Sequence, residues 1–260
     1  MGPHGNRRAP LRTLVTSGLA ELRPDPERPQ GWTLLVNGVP QSYVDLADPG
    51  HLEFPYEKQL GAVLRLWAPH RVREKVLHLG GGGLTLARLL HHTRPGFSQV
   101  VVERDPEILA LVSRVLPFPG EIEVRLGDAR EELEAAEPAS FGLIISDVFV
   151  GAAMPASVAA EGFAVAARRA LHPDGLLAMN LTDVPPLAHT RIQVATTRSA
   201  FDELTLYGNA EVLRGLRVGN VILLAGNVPM IEARKTERVI RGDDLSIFMG
   251  GARPLLDEPR

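Results

Sequence analysis

Three carboxylates stand at the ends of three successive apolar runs: Glu103 after Val100–Val102, Asp128 after Ile122–Leu126, and Asp147 after Phe141–Ser146. Ahead of them the run Val76, Leu77, Leu79 stops at four consecutive glycines, Gly80, Gly81, Gly82 and Gly83. Bare backbone lets a ligand lie against the main chain, and a carboxylate one strand further on can take both hydroxyls of a ribose. Asp128 with Ala129 can offer a side-chain acceptor to an adenine amino group, and Asp147 can serve as a proton acceptor. Each acid could instead be a helix N-cap, and Asp128 before Ala129-Arg130-Glu131 fits that role. Glu103 and Asp147 fit it less well, because each closes a buried apolar strand, where a carboxylate needs a cationic or donor-rich partner.

The glycines do not match a dinucleotide fingerprint, since counting from Gly80 and Gly82 its last position falls on Thr85. A nucleoside cofactor without a pyrophosphate is indicated instead, and S-adenosylmethionine or its decarboxylated form answers that description.

These side chains have to be carried by an alternation of short strands and helices. After Gly83 a helical pattern (Leu84, Leu86, Leu89, Leu90) begins, and helices at 106–115, 129–136, 156–171 and 187–201 separate strands at 122–126, 141–146, 175–181 and 204–207. Strands so separated make a mostly parallel sheet with helices on both faces. The last apolar strand, 221–225, follows 204–207 without a helix and closes an antiparallel edge. The expectation is an α/β fold, a class I methyltransferase-like Rossmann domain of seven strands. Before it, 11–48 reads as a small antiparallel sheet with a turn at Asn37-Gly38, and 55–67 as a helix with Pro55 in its first turn. The domain plan is a disordered N-terminus at 1–10, a small β-domain at 11–54, the nucleoside-binding domain at 55–228, and at 229–260 a helix (231–240) followed by a Gly/Pro-rich tail.

The chain has 260 residues with 28 basic and 31 acidic side chains, a formal net charge of −3, and no cysteine. That balance does not point to nucleic acid, and disulfide and thiolate chemistry are excluded. No apolar run approaches a membrane span and no signal-peptide pattern opens the chain, so a cytoplasmic enzyme without a membrane partner is expected.

In order along the chain, several segments resemble the spermidine synthase (polyamine aminopropyltransferase) family over roughly 11–228. Leu35 to Gln41 (LVNGVPQ) is similar to its L-D-G-x-x-Q, Tyr56-Glu57 to its Tyr-(His/Gln)-Glu, and Val76 to Gly83 to its V-L-I-I-G-G-G-D-G. Val101 to Asp105 resembles V-E-I-D, Gly127 to Glu131 resembles D-D-G, and Ile144 to Phe149 resembles the segment with the catalytic Asp. The resemblance implies an adenosyl sulfonium cofactor walled by Gly80–Gly83, with Gln41 and Ala129 beside it. It places Glu103 on the ribose, Asp128 on the adenine, Asp147 as acid/base and Tyr56 closing over the reacting group. It also implies a small-molecule acceptor and a homodimer, because family members commonly dimerise or tetramerise.

The departures bear on the acceptor. Where the family has an acid in the fourth glycine-loop position this chain has Gly83, and where it has a second acid beyond the catalytic Asp this chain has Val150. Gly127 replaces the first Asp of D-D-G, and the stretch from Gln41 to Tyr56 is longer than usual. A dicationic diamine needs anionic partners to leave water. Aminopropyl transfer therefore competes with methyl transfer from intact S-adenosylmethionine. A catalytically silent nucleoside-binding homologue is the reading from another class, and an NAD-dependent oxidoreductase a distant third. Of the remaining groups, His78 reads as a core histidine, His91-His92 as surface residues ending a helix, and Arg130-Glu131-Glu132 as a solvated face. Asp48, His51 and Glu53 lack the spacing of a metal site. Met154-Pro155 and the loop 150–153 are placed to shape the acceptor side.

Overall fold

A computed structural model describes residues 8–67, 74–151 and 153–258 of the chain. The expectation of disorder at 1–10 falls, for its first seven residues, outside that range.

The N-terminal segment is a four-stranded antiparallel meander: β1 (Leu11–Val15), β2 (Gly18–Pro24), β3 (Gly31–Val36) and β4 (Val39–Asp45), in sheet order 1-2-3-4. Asn37 and Gly38 both take positive φ (51° and 78°), the geometry of the tight hairpin turn their sequence signals. One face of this sheet carries Ala20, Leu22, Trp32, Leu34, Val36 and Val44. These pack on Leu111, Val112 and Leu116, in and just after α3 (Pro106–Ser113) of the larger sheet's helical layer. Asp105 ties the two layers. Its Oδ1 caps α3 by accepting from the N–H groups of Glu107 and Ile108 (3.1 and 3.2 Å), and its Oδ2 accepts from Thr16 N–H (2.9 Å).

The larger sheet contains β5 (Lys75–Leu79), β6 (Ser98–Glu103), β7 (Ile122–Leu126), β8 (Phe141–Ser146), β9 (Leu171–Asp183), β10 (Leu204–Asn209), β11 (Gly219–Gly226) and β12 (Glu237–Arg241). Their order is β12-β10-β11-β9-β8-β5-β6-β7. Strands β5 to β9 are mutually parallel, and β11, β10 and β12 add antiparallel pairs at one edge. This is the methyltransferase-like architecture expected, with an eighth strand.

Alternation along β5 sorts its side chains to the two faces. Val76 joins Leu60, Val63 and Leu64 of α1 (Pro55–Leu66) and Leu86, Leu89 and Leu90 of α2 (Thr85–Thr93). Leu77 and Leu79 join Leu133 of α4 (Ala129–Ala135) and, beyond α5 (Ala156–Ala159), Phe163 of α6 (Glu161–Ala170) and Val194 of α7 (Ala188–Arg198). A short α8 (Ala210–Leu213) follows β10, so the connection to β11 contains a helix where none was expected, and α9 (Gly242–Met249) follows β12.

Two further expectations are corrected. The single helix at 156–171 is broken at Ala160, because Glu161 N–H donates to Leu255 O (2.8 Å) and Gly162 N–H to Asp257 Oδ2 (2.7 Å). The C-terminal tail thus supplies acceptors, one of them an acid, to the start of α6. The helix expected at 231–240 is not formed: Glu237–Arg241 is the edge strand β12, and the helix begins only at Gly242. Hydrogen bonding to β10 outweighs the local helical spacing.

Leu111 is 2 % exposed at the junction of the two sheets. Leu111→Ala should lower unfolding free energy by about 2–5 kcal/mol, read by urea denaturation. A loss below about 1 kcal/mol would show that the small sheet is not held by this contact.

Candidate active site

The carboxyl ends of β5, β6, β7 and β8 converge with β4 and the start of α1 on one cavity of about 680 Å³. The loop after β5 is drawn between its two neighbours. Gly80 has φ +93° and donates its N–H to Val102 O (2.9 Å), and a Cβ there would lie 2.2 Å from the carbonyl oxygen of Asp147. No side chain fits that approach.

Glu103 closes the loop from the β6 side. Its Oε2 accepts from the N–H groups of Gly81 (3.1 Å) and Gly82 (2.9 Å), and its Oε1 from those of Arg104 (2.8 Å) and Asp105 (2.9 Å). Asp128 performs the capping role that its sequence context allows: Oδ1 accepts from Arg130 N–H (2.8 Å) and Glu131 N–H (3.3 Å) at the start of α4. It lines the cavity all the same, as do Ala129, Glu103, Gly80, Gly81, Gly82 and Gln41.

Gly83 is the exception among the expected residues. The loop turns at Gly82 and Leu84 (φ 48° and 61°), which carries Gly83 away from the cavity toward β4, where its N–H donates to Ser42 Oγ (2.9 Å). A Cβ at this position would lie 2.8 Å from Ser42 Oγ and 3.0 Å from Val44. An acid at residue 83 therefore conflicts with the local packing.

At the other end of the cavity Asp147 is held by neighbours on β9 and α1. Asn180 Nδ2 donates to Asp147 Oδ1 (2.8 Å), and Asn220 Nδ2 donates to Asn180 Oδ1 and Thr182 Oγ1 (both 3.0 Å). Because Asn180's carbonyl end is taken by Asn220, its amide nitrogen is committed to Asp147. The Tyr56 hydroxyl lies between two acceptors, the main-chain oxygen of Gln41 (3.2 Å) and the Asp147 carboxylate. Burial pushes the Asp147 carboxyl up, and the bonds from Asn180 and Tyr56 pull it partly back. Tyr56 is raised well above its ordinary value, first by burial and then by the charge of Asp147.

Glu57, next to Tyr56 in the chain but not among the expected site residues, lines the same end. It is 1 % exposed; its Oε2 accepts from Phe54 N–H (3.2 Å) at the start of α1, and Oε1 is buried without a hydrogen-bond partner. Burial and the nearby Asp147 raise it to about 7, against the main-chain groups of Phe54, Tyr43 and Glu53. Asn180 and Asn220 were also missed. The one available signal was an amide inside the otherwise apolar run Leu176–Leu181.

His78 is a satisfied core residue, with Nε2 2.8 Å from Gln99 Oε1 and its basicity lowered by burial to about 4. Among the described residues no cluster of three or more His, Cys, Asp or Glu could hold a metal, and no helix is long and apolar enough to cross a membrane.

Fold and site together define the class, a methyltransferase-like Rossmann fold with a nucleoside-sized cavity at its strand ends. Comparison with known proteins narrows it. A probable spermidine synthase from Corynebacterium glutamicum superposes with a TM-score of 0.89 over 97 % of this chain and 98 % of its own, at 27 % identity. Spermidine synthase from Thermotoga maritima (TM-score 0.61, 16 % identity, 85 % of this chain and 73 % of that one) shares the fold. So does human methyltransferase-like protein 13 (0.54, 19 %, 79 % of this chain and 96 % of that one). In sequence, a polyamine aminopropyltransferase of Chromobacterium violaceum is 29 % identical over 147 residues, 54 % of this chain and 53 % of that protein. An N-terminal histidine N-methyltransferase of Emericella nidulans is 27 % identical over 134 residues, 50 % of this chain and 24 % of that protein. The chain thus spans about half or less of these curated relatives, and no family model matches it. The likeness to spermidine synthases read from the motifs is borne out, at the distance of a divergent relative.

Gly80→Ala should cost at least about 2 kcal/mol, from the left-handed backbone and the clash with the Asp147 carbonyl. An unchanged melting temperature would contradict the close approach of the two loops. Glu57 makes a pH-dependent contribution of known sign. Its folded value of about 7 exceeds the ordinary 4.5, so between these pH values the folded state keeps a proton that the unfolded state has lost. Stability from this group is full below 4.5 and falls as pH rises through 7, by something on the order of 3 kcal/mol. Urea denaturation at both ends of that window should show a smaller fall for Glu57→Gln than for the parent. Equal falls would contradict the buried carboxyl.

Proposed function

We propose that the chain is a transferase that binds an adenosyl sulfonium and alkylates an amine, aminopropyl transfer being the first reading and methyl transfer the second. The observation that carries this is the meeting of Gly80–Gly82, Glu103, Asp128 and Asp147 around a single cavity, in the order the motifs imply. The residues present fit an adenosyl group. Main chain without side chains forms one wall, Glu103 offers carboxylate oxygens to ribose hydroxyls, and Asp128 has Oδ2 beyond the oxygen used for its cap. In this reading the carboxylate that accepts from the Gly81 and Gly82 N–H groups also meets the ribose hydroxyls, so loop and ligand are held by the same side chain.

When bound, the sulfonium supplies an electrophilic carbon: the amine nitrogen forms a bond to it as the carbon–sulfur bond breaks and the sulfur leaves as a thioether. Asp147 accepts the proton the amine must lose, and its raised affinity for protons suits that task. Asn180, fixed by Asn220, keeps Oδ1 in place, and the Tyr56 hydroxyl lies beside the carboxylate on the α1 side. Methyl transfer is favoured by one specific observation, that the cavity-facing part of the glycine loop, Gly80 to Gly82, holds no acid to repel the carboxylate of intact S-adenosylmethionine, residue 83 turning away to Ser42.

In a thermal-shift series, methylthioadenosine should stabilise the protein by about 2.7 kcal/mol at a hundredfold excess over its dissociation constant, and NAD should not. Preference for the decarboxylated donor supports aminopropyl transfer, and preference for the intact one supports methyl transfer. Stabilisation by NAD alone would contradict both. Asp147→Asn should lower turnover by about a hundredfold or more with nucleoside binding nearly intact, whereas Glu103→Ala should lose nucleoside affinity. The opposite pattern would reverse the two assignments.

A further inference from the structure

Among the described residues the cavity is lined by four carboxylates, and they differ in what they already hold. Glu103 accepts four main-chain N–H bonds and Asp128 caps α4, so both are committed at the nucleoside end. Asp147 and Glu57 both border the other end, on either side of Tyr56, whose hydroxyl donates to Gln41 O and lies beside the Asp147 carboxylate. Glu57 Oε1 makes no hydrogen bond of good geometry, although main-chain groups of Tyr43 and Glu53 lie near the carboxylate. Such an atom is costly to leave unmatched.

Beyond this pair the wall turns neutral. Val148, Phe149, Val150, Pro155 and Val158 form an apolar side, and Asn180, Thr182 and Asn220 an uncharged polar one. A second ammonium lodged there would have left water without an anion to meet it.

Resting on the reading of the cavity as an amine alkylation site, we infer that the acceptor is an amine with a single ammonium group. It is held between Asp147 and Glu57, and its remaining atoms are apolar or carry a neutral polar group such as a hydroxyl. Two carboxylates that repel one another are matched by one cation placed between them, and Asp147 takes the proton while Glu57 continues to hold the nitrogen.

The test is calorimetric binding to the full chain saturated with methylthioadenosine. The probes are putrescine and the amino alcohol of equal length in which one ammonium is replaced by a hydroxyl. The amino alcohol should bind about tenfold tighter or better. Glu57→Gln, which keeps an acceptor for Phe54 N–H, should weaken the amino alcohol by about tenfold while leaving the methylthioadenosine dissociation constant within about twofold. Equal or tighter binding of putrescine, binding of neither amine, or an unchanged amino-alcohol affinity in Glu57→Gln would overturn the inference and leave the nucleoside reading standing. Failure of methylthioadenosine itself to bind would overturn both.

Discussion

The site depends on a contact between backbones. At the carboxyl end of the sheet, β5 runs between β6 and β8, and the loops leaving it must pass within van der Waals distance of both neighbours. Gly80 lies against the carbonyl of Asp147 on one side, and the Gly81 and Gly82 N–H groups reach the carboxylate of Glu103 on the other. Any side chain at residue 80 would force these loops apart. With them together, the ends of three strands share one cavity, and Glu103 and Asp147, which the proposed function gives to cofactor and chemistry, both border it.

The two ends of that cavity are built on opposite principles. At the end bordered by Glu103 and Asp128 the carboxylates already accept from main-chain donors, which fixes their position and lets them cap or close local structure as well as face the cavity. At the far end they are under-supplied. Asp147 and Glu57 are raised by burial, and Glu57 keeps an unmatched oxygen. Such an arrangement costs stability and raises the proton affinity of both groups, to about 7 for Glu57. The walls beside it are apolar or carry uncharged amides and a hydroxyl.

Much of this was legible in the sequence because it is local. The glycine run, the acids closing apolar strands and the Asn37-Gly38 turn are signals carried within a few residues, and Gly80–Gly82, Glu103, Asp128, Ala129, Asp147, Gln41 and Tyr56 all border the cavity. What was misread depends on distant partners. The break at Ala160 exists because Leu255 and Asp257 return to the start of α6. The segment 237–241 is a strand because β10 has a free edge to offer it. Gly83 leaves the cavity because Ser42, from another sheet, accepts its N–H. Asn180 and Asn220 meet only through the pairing of β9 with β11, and Glu57 matters only because α1 docks beside Asp147. No window of sequence contains these pairs.

The central claim is that an adenosine lies on bare main chain at residues 80–82. A crystal structure of the chain with methylthioadenosine tests it most directly. It should show the ribose hydroxyls on the Glu103 carboxylate, the adenine beside Asp128 and Ala129, and the sulfur directed toward Asp147. Density for the nucleoside elsewhere on the molecule, or in this cavity with its sulfur turned away from Asp147, would contradict the account.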